Sequence, residues 1–267
     1  MAPNIDDTTP DAGEGIIARL WKPPRPLFYS AFTVDISVAC IGLALQFLGI
    51  SLGASPLILG LLGTLATLGY AVSCLFSGTV SDRFGRKRSA FIGLGISSAI
   101  WVAYTFAPNP YVLLALVPFA GMGLALFWPS IQAWMVELTT GGRRGLTRNI
   151  GLFNLFWCAG VMVGPTMAGQ TWDLGHSLPF WLSAALVWLV MITLIVTPRG
   201  EVAEKDDYNR SDTSGHDVPE KIWPMFMRVA WFGLFGSWFL GATMRTMFPK
   251  LAHEISIGPK TVGWVMT

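Results

Sequence analysis

The sequence predicts an all-α membrane protein with seven full transmembrane helices and the start of an eighth. Only 13% of the 267 residues are charged, whereas a soluble domain carries roughly 25%, and the apolar residues fall into long, continuous runs. A globule of this size with so few charges would not solvate its own surface. The net charge of +2 gives no sign of an acidic partner. The composition therefore argues against a soluble enzyme, a nucleic-acid-binding protein and a disordered chain.

The predicted spans are the apolar runs that are long enough to cross a bilayer. A helix needs about 20 mostly apolar residues to cross a hydrocarbon core of about 30 Å. The strands of a membrane barrel alternate over about ten residues, and these runs are longer and unbroken. An eighth helix begins at Gly258 or Pro259 and is incomplete. The seven spans are 27–50, 56–80, 89–106, 110–136, 149–170, 178–196 and 224–247.

The spans and the basic residues divide the chain into four predicted segments. If the N-terminus is cytoplasmic, 15 of the 18 Lys and Arg residues lie on the cytoplasmic side, as the positive-inside rule requires. The polar stretch before the seventh span holds seven acidic residues and no apolar cluster, which predicts a solvated linker. The segments are a cytoplasmic tail (1–26), a six-helix bundle (27–197), a cytoplasmic linker (198–223) and the start of a second bundle (224–267).

The loop between the second and third spans carries the most specific motif of the sequence. It reads Gly78-Thr-Val-Ser-Asp82-Arg83-Phe-Gly85-Arg86-Lys87. This segment resembles, at every defined position, the cytoplasmic signature G-x-x-x-D-R-x-G-R-[RK] of the major facilitator superfamily. The resemblance implies a transporter of two helical bundles, normally with twelve helices in all. It also implies that this loop latches the two bundles in the outward-facing state.

Each defined position of the loop has a physical reason. Gly78 lets a neighbouring helix approach closely, and Gly85 permits a tight turn. Asp82 can pair with Arg86 or face the positive N-terminus of another helix. The resemblance further implies a bond between Arg86 and Glu137, which directly follows the fourth span; a plain interfacial carboxylate is the alternative. A basic loop that only sets topology would explain the arginines but not the spacing of glycine and aspartate.

The fifth span carries a second pattern of small residues. It resembles the superfamily pattern G-x8-G-x3-G-P-x2-G-G, which is common among exporters, with Ala168 in place of the first glycine of the final pair. The resemblance favours export, although packing between small residues explains the same stripe. One departure is that no basic residue lies in 110–136, where many proton-coupled exporters carry an arginine; Val117 holds that place. The matching residues are Gly151, Gly160, Gly164, Pro165 and Gly169.

Asp35 is the clearest candidate for the transport path. A charged side chain at membrane depth costs at least roughly 2.5–3.5 kcal/mol, so it usually faces a cavity or a partner. Asp35 lies within the first span, where it either binds a proton or a cationic substrate in a central cavity or forms hydrogen bonds with neighbouring helices. Arg245 either binds an anionic group or extends to the headgroups. Further candidates, for which packing is the alternative, are Gln46, Gln132, Asn154, Trp128 and Trp157.

The sequence contains no motif for catalysis or for a cofactor. It has no phosphate-binding loop, no nucleophile elbow and no cluster of His and Cys with metal spacing, and an enzyme or an ATP-driven pump needs such chemistry. We therefore expect no enzyme activity, no cofactor and no metal. The three cysteines (Cys40, Cys74 and Cys158) lie in apolar runs and are interpreted as packing residues.

The resemblance implies a secondary active transporter of the inner or plasma membrane that moves a small solute by alternating access. Export of a drug-like or metabolite compound is favoured, and uptake of a sugar or metabolite is the alternative. A non-transporting truncated remnant or a membrane receptor is the rival from another class. The expected partners are the lipid bilayer, a small-molecule substrate and a coupling proton, with no nucleic acid. Self-association is expected because the second bundle is incomplete.

Overall fold

The computed structural model describes residues 24–139, 142–197 and 223–267. These residues form eight α-helices and, within those ranges, no strand. Most of the predicted tail and nearly all of the predicted linker lie outside the described residues. The helices are α1 (Arg25–Ser51), α2 (Pro56–Phe84), α3 (Arg86–Tyr104), α4 (Pro110–Glu137), α5 (Gly142–Leu174), α6 (Leu178–Val196), α7 (Trp223–Glu254) and α8 (Pro259–Val265).

Six of these helices are long and apolar enough to cross a membrane: α1, α2, α4, α5, α6 and α7. The exception among the long helices is α3. It has 19 residues, but it begins with three cations (Arg86, Lys87 and Arg88) and contains three serines. These residues lower the mean hydropathy of α3. The predicted third span did not include the three cations, because it began at position 89. The structure therefore supports six spans by composition, and the count of seven stays a prediction.

Helix ends on the side opposite the basic loop are fixed by capping residues. The Ser55 side chain accepts a hydrogen bond from the Ile58 N–H at the start of α2. Asn109 Oδ1 accepts from the Tyr111 and Val112 N–H groups at the start of α4, at 3.1 and 3.2 Å. Both caps are followed by a proline, which fits the first helical position because it lacks the N–H that would be left unpaired.

Helices α1 to α6 pack into one bundle, in which α1 and α4 make the most extensive contacts. Helix α1 packs against α5 and α6, while α4 packs against α2 and α3, and α3 joins the two groups through α6. Helix α7 contacts α1 and α2 at its edge, and α8 packs on α5. Helix α1 is the most buried of the candidate spans, whereas the most apolar window of α7 has no buried residue. The hydrophobic core of the described chain therefore lies mainly in the first six helices, with Ala252 of α7 and Val262 of α8 at its edge.

Candidate functional site

The basic loop is a direct junction between α2 and α3 at Gly85. This residue has a φ of +88°, its N–H donates to the Ser81 carbonyl at 2.9 Å, and its own carbonyl accepts from the Ser89 N–H at 3.1 Å. A residue with a side chain is strained at this φ, which explains why the motif needs glycine here. Because no further residue separates the helices, Arg86 begins α3 only four residues after Asp82.

The Arg86 guanidinium binds acceptors on α2 and on α4. Its Nη1 lies 2.7 Å from Asp82 Oδ1 and donates to Ser81 Oγ at 3.0 Å. Its Nε donates to Glu137 Oε1 at 3.1 Å. The Asp82 side chain is 66% exposed, and an exposed ion pair contributes only about 0–1 kcal/mol. Ser81 is buried, and a hydrogen bond from a charged group contributes about 1.5–3 kcal/mol. The serine contact is therefore at least as important as the exposed ion pair.

Lys87, the next residue of the junction, binds the C-terminal end of α6. Its Nζ donates to the Ile195 carbonyl at 2.8 Å and to the Thr197 carbonyl at 2.9 Å. These groups belong to the C-terminal end of α6, where backbone carbonyls lack partners within the helix and the helix dipole favours a cation. Lys87 therefore caps α6, and adjacent residues of one loop bind α2, α4 and α6.

Two members of the loop motif make no comparable contact in the described part of the chain. Gly78 is exposed, and a Cβ built on it would meet no atom within 4 Å. The close helix approach predicted for Gly78 is therefore absent among the described residues. Arg83 is exposed in the last turn of α2. The conformational role of both residues stays a prediction.

The fifth-helix glycines serve two different contacts. On one side of α5, a Cβ on Gly164 would lie 2.5 Å from Ala39 Cβ, and a Cβ on Gly160 would lie 2.9 Å from Asp35 Cβ. Real side-chain atoms do not approach so closely, so α1 and α5 can pack at this distance only without those Cβ atoms. Gly151, which begins the pattern, meets no atom within 4 Å among the described residues.

The other side of α5 meets α8 through a reciprocal contact. A Cβ on Gly169 would lie 2.5 Å from the Pro259 carbonyl oxygen, and a Cβ on Gly263 would lie 2.6 Å from the Pro165 carbonyl oxygen. Each helix thus presents a proline and, four residues later, a glycine to the other. Ala168 is fully buried. The pattern therefore connects the first six helices with the helix that follows α7.

Asp35 is buried inside the helix assembly, next to the α1–α5 contact. Its side chain is 4% exposed, and Oδ2 has no hydrogen-bond partner among the described residues. Helix α7, which carries Arg245, contacts α1, which carries Asp35. Gln46 is also buried, and its Oε1 is unpartnered in the described part of the chain. Burying a polar atom without a hydrogen bond costs free energy, so each of these oxygens could accept a donor from a ligand.

The remaining path candidates lie on the surface of the bundle or partly within it. Trp128 is half-buried, and its ring packs edge-on against Phe127 and Phe153, at centroid distances of 4.9 and 6.3 Å. Trp157 is also half-buried, whereas Gln132, Asn154 and Arg245 are exposed. Within residues 24–139, 142–197 and 223–267, no three His, Cys, Asp or Glu side chains lie together as a metal site.

Sequence reasoning missed two buried serines of the loop network. Ser81 accepts from Arg86, and Ser130 Oγ donates to Ser81 Oγ at 3.1 Å. Two signals could have identified them. Ser81 directly precedes Asp82 at an undefined position of the motif, and Ser130 precedes Glu137 by seven residues. Seven residues make about two helical turns, so Ser130 and Glu137 lie on the same side of α4.

Comparison with known proteins gives matches over most of the chain. A sequence model of the Major Facilitator Superfamily matches residues 27–267. The quinolone resistance protein NorA of Staphylococcus aureus (strain Mu50) is 25% identical over 252 residues, which cover 91% of this chain and 63% of that protein. A gentisate transporter of Corynebacterium glutamicum is 28% identical over 201 residues, covering 71% of this chain and 42% of that protein. The chain thus spans less than two thirds of the length of these curated relatives.

Proposed function

The chain belongs to the major facilitator superfamily and is a multi-pass membrane protein. On this premise we propose that it is a secondary active transporter that moves a small solute by alternating access, and that it is not an enzyme. Two bundles rock around a site near the middle of the membrane in such transporters. In this proposal, α1 to α6 form the first bundle, and α7 and α8 begin the second. The activity is proposed for the whole protein, of which these residues form the part that matches 63% of NorA.

The observation that carries the proposal is that each of the two sequence motifs makes a distinct contact between helices. The loop motif joins α2, α3 and α4 through Arg86, and the fifth-helix pattern joins α5 to α8 through Gly169 and Gly263. A rocking transporter needs a stable first bundle and a close, smooth contact with the second. Backbone contact without side chains supplies such a surface.

Export of a drug-like or metabolite compound is the preferred direction. The fifth-helix pattern favours it, and the name of the NorA relative describes resistance to quinolones. The second relative is named as a transporter of gentisate, without a direction of transport. Uptake of a metabolite is therefore the alternative.

Asp35 is the proposed binding group of the path. Its unpartnered Oδ2 would accept a coupling proton or a hydrogen-bond donor of a cationic compound. Arg245, on a helix that contacts α1, would exchange with that cation during the cycle. Extension of Arg245 to the headgroups is the alternative.

Gln132 and Asn154 are proposed as cavity-lining residues. Both are polar, exposed and within helices of membrane length. Polar groups in a span face a cavity or another helix in preference to lipid. Trp128, Trp157 and Gln46 are proposed as the half-buried and buried parts of the same wall.

The proposed setting is the cell membrane with the N-terminus in the cytoplasm, where the basic loop would then also lie. In this arrangement α3 crosses the bilayer as a seventh span, with Arg86, Lys87 and Arg88 at the interface. The bilayer and a small molecule are the proposed partners, and nucleic acid is not. The exposed apolar surface of α7 favours self-association of the isolated chain.

The proposal is tested by uptake and efflux of a labelled compound panel, in cells that express the 267 residues alone and in their full-length gene context. We expect lower accumulation of at least one compound with the full-length protein, and accumulation restored by Asp35→Asn. Asp173→Asn is the matched control, because Asp173 is exposed at the end of α5. Accumulation that is unchanged by the full-length protein for every compound would contradict transport, and unchanged transport in Asp35→Asn would remove Asp35 from the path.

A further inference from the structure

Ser81 lies at the centre of a ring of contacts at the junction of α2 and α3, which the backbone of α4 closes on one side. Its hydroxyl oxygen accepts from Ser130 Oγ at 3.1 Å and from Arg86 Nη1 at 3.0 Å. Arg86 Nε then donates to Glu137 Oε1, which lies two turns after Ser130 on α4. The ring thus runs from α4 to α2, on to α3 and back to α4.

The members of the ring differ in how firmly the surrounding protein holds them. Ser81 and Ser130 are 1% and 0% exposed, and each side chain has a single rotatable bond to its hydroxyl. The carboxylates of Asp82 and Glu137 are 66% and 40% exposed, so they compete with water for the guanidinium. Two solvated carboxylates attract Arg86 without fixing its orientation, whereas a buried hydroxyl offers one acceptor at one place.

The ring also explains how one guanidinium reaches two helices at once. The Nη1 atom bonds Ser81 and Asp82 on α2, and the Nε atom bonds Glu137 on α4. If Nη1 is held at Ser81, Nε faces Glu137 because the guanidinium is rigid and planar. If it is not held, Arg86 can remain on Asp82 alone, its own neighbour by four residues.

We infer that Ser81 is the positioning residue of the basic loop: it fixes Arg86 Nη1 so that Nε bridges to α4, and Ser130 orients the Ser81 hydroxyl for this task. Without Ser81, Arg86 keeps its ion pair with Asp82 but loses its defined bridge to Glu137. The end of α2 then becomes free to move relative to the end of α4. This inference concerns the geometry of the first bundle and does not depend on whether the protein transports a solute.

The test measures the distance between the ends of α2 and α4 in the full 267-residue chain in lipid vesicles. Spin labels are attached to Phe84→Cys and Val136→Cys, both of which replace exposed side chains, after the three native cysteines have been changed to alanine. Pulsed electron–electron double resonance then gives the distribution of distances between the two spin labels. Ser77→Ala is the matched control, because Ser77 is a buried serine one turn earlier on α2. Among the described residues its hydroxyl bonds only the Cys74 carbonyl of its own helix.

We expect Ser81→Ala to broaden the distribution and Ser77→Ala to leave it as narrow as in the parent protein. Ser130→Ala should broaden it less, since Ser81 remains present as an acceptor. In an Arg86→Gln background, Ser81→Ala should add no further broadening. If Ser81 served only to pack α2, its replacement would broaden the distribution in that background as well. A narrow distribution in Ser81→Ala, equal broadening by Ser77→Ala, or additive effects of Ser81→Ala and Arg86→Gln would each overturn the inference.

Discussion

The basic loop and the fifth helix join helices by opposite means. At the loop, long polar side chains reach across gaps, as Arg86 and Lys87 do to acceptors on α2, α4 and α6. Along α5, contact depends on the absence of side chains, because the glycines bring backbone against backbone. The loop contacts can break and re-form as a side chain rotates, whereas a glycine contact has only one distance. The first bundle is therefore held rigidly within the membrane and adjustably at the loop.

The largest effect is expected where a side chain is added to the rigid contact. Gly164→Leu would force a Cβ against Ala39 and the Ile36 carbonyl, and overpacking of this kind costs about 3 kcal/mol. We expect a marked fall of the thermal midpoint in detergent, followed by tryptophan fluorescence. Gly151→Leu is the control from the same helix, since Gly151 meets no described atom within 4 Å. An equal loss of stability in both variants would contradict the distinction.

A local effect of the same kind is expected at the α5–α8 contact. Gly169→Leu would collide with the Pro259 carbonyl and with Gly263, so α8 should leave α5 while the six-helix bundle stays folded. The Thr166 and Thr267 hydroxyl oxygens lie 2.5 Å apart, so cysteines at these two positions should cross-link. We expect Gly169→Leu to abolish most of this cross-link without changing the thermal midpoint. A cross-link of undiminished yield would show that α8 does not depend on Gly169.

A smaller effect is expected when the central cation of the loop is removed. Arg86→Gln loses contacts with Ser81, Asp82 and Glu137, and we expect it to lower the free energy of unfolding by about 1.5–3 kcal/mol, as for a hydrogen bond to a charged group. Asp82→Asn should lower it by less than about 1 kcal/mol, because its ion pair is exposed. Denaturant titration measures both values. The buried serine would lose its assigned importance if Asp82→Asn were the more damaging change.

Of the two cation removals, the smaller effect is expected at the cap of α6. Lys87→Met keeps the length of the side chain and removes its two bonds to the Ile195 and Thr197 carbonyls, which predicts a loss of about 1 kcal/mol. Hydrogen exchange should become faster in the last turn of α6 and nowhere else in the bundle. Arg88→Met, at the exposed neighbouring position, serves as the control. Exchange at the end of α6 that is equally fast in both variants would argue against a specific cap.

Much of the fold was predictable because membrane helices are recognised in a sequence by the length and hydropathy of their apolar runs. The ends of α1, α4 and α6 agree with the predicted spans to within about two residues, the usual uncertainty of helix boundaries. Helix α5 begins at Gly142 instead of 149 and α7 ends at Glu254 instead of 247, and α3 begins at Arg86 instead of 89. Its basic first turn has the composition of a loop although Gly85 lets the helix start there. The superfamily resemblance, carried by fixed spacings at the loop, agrees with the match to the family over residues 27–267.

The details of the site were less predictable because they depend on which helices become neighbours. The division of the α5 glycines could have been calculated, since the five residues from Gly164 to Gly169 turn a helix by about 140°. The partner of each side could not, because it depends on packing. Whether Arg245 lies near Asp35 likewise depends on how α7 packs against α1. The contribution of Ser81 depends on the position of Ser130 on another helix.

The most direct test of this membrane arrangement is the sidedness of the loop and of the end of α3. Phe84→Cys and Phe106→Cys flank α3 and replace exposed side chains, so each can be labelled with a membrane-impermeant maleimide in a chain without native cysteines. If α3 crosses the bilayer and the basic loop is cytoplasmic, Phe106→Cys is labelled in intact cells and Phe84→Cys only after permeabilisation. Labelling of both positions under the same condition would contradict the membrane arrangement on which the adjustable loop and the rigid helix contacts are assigned.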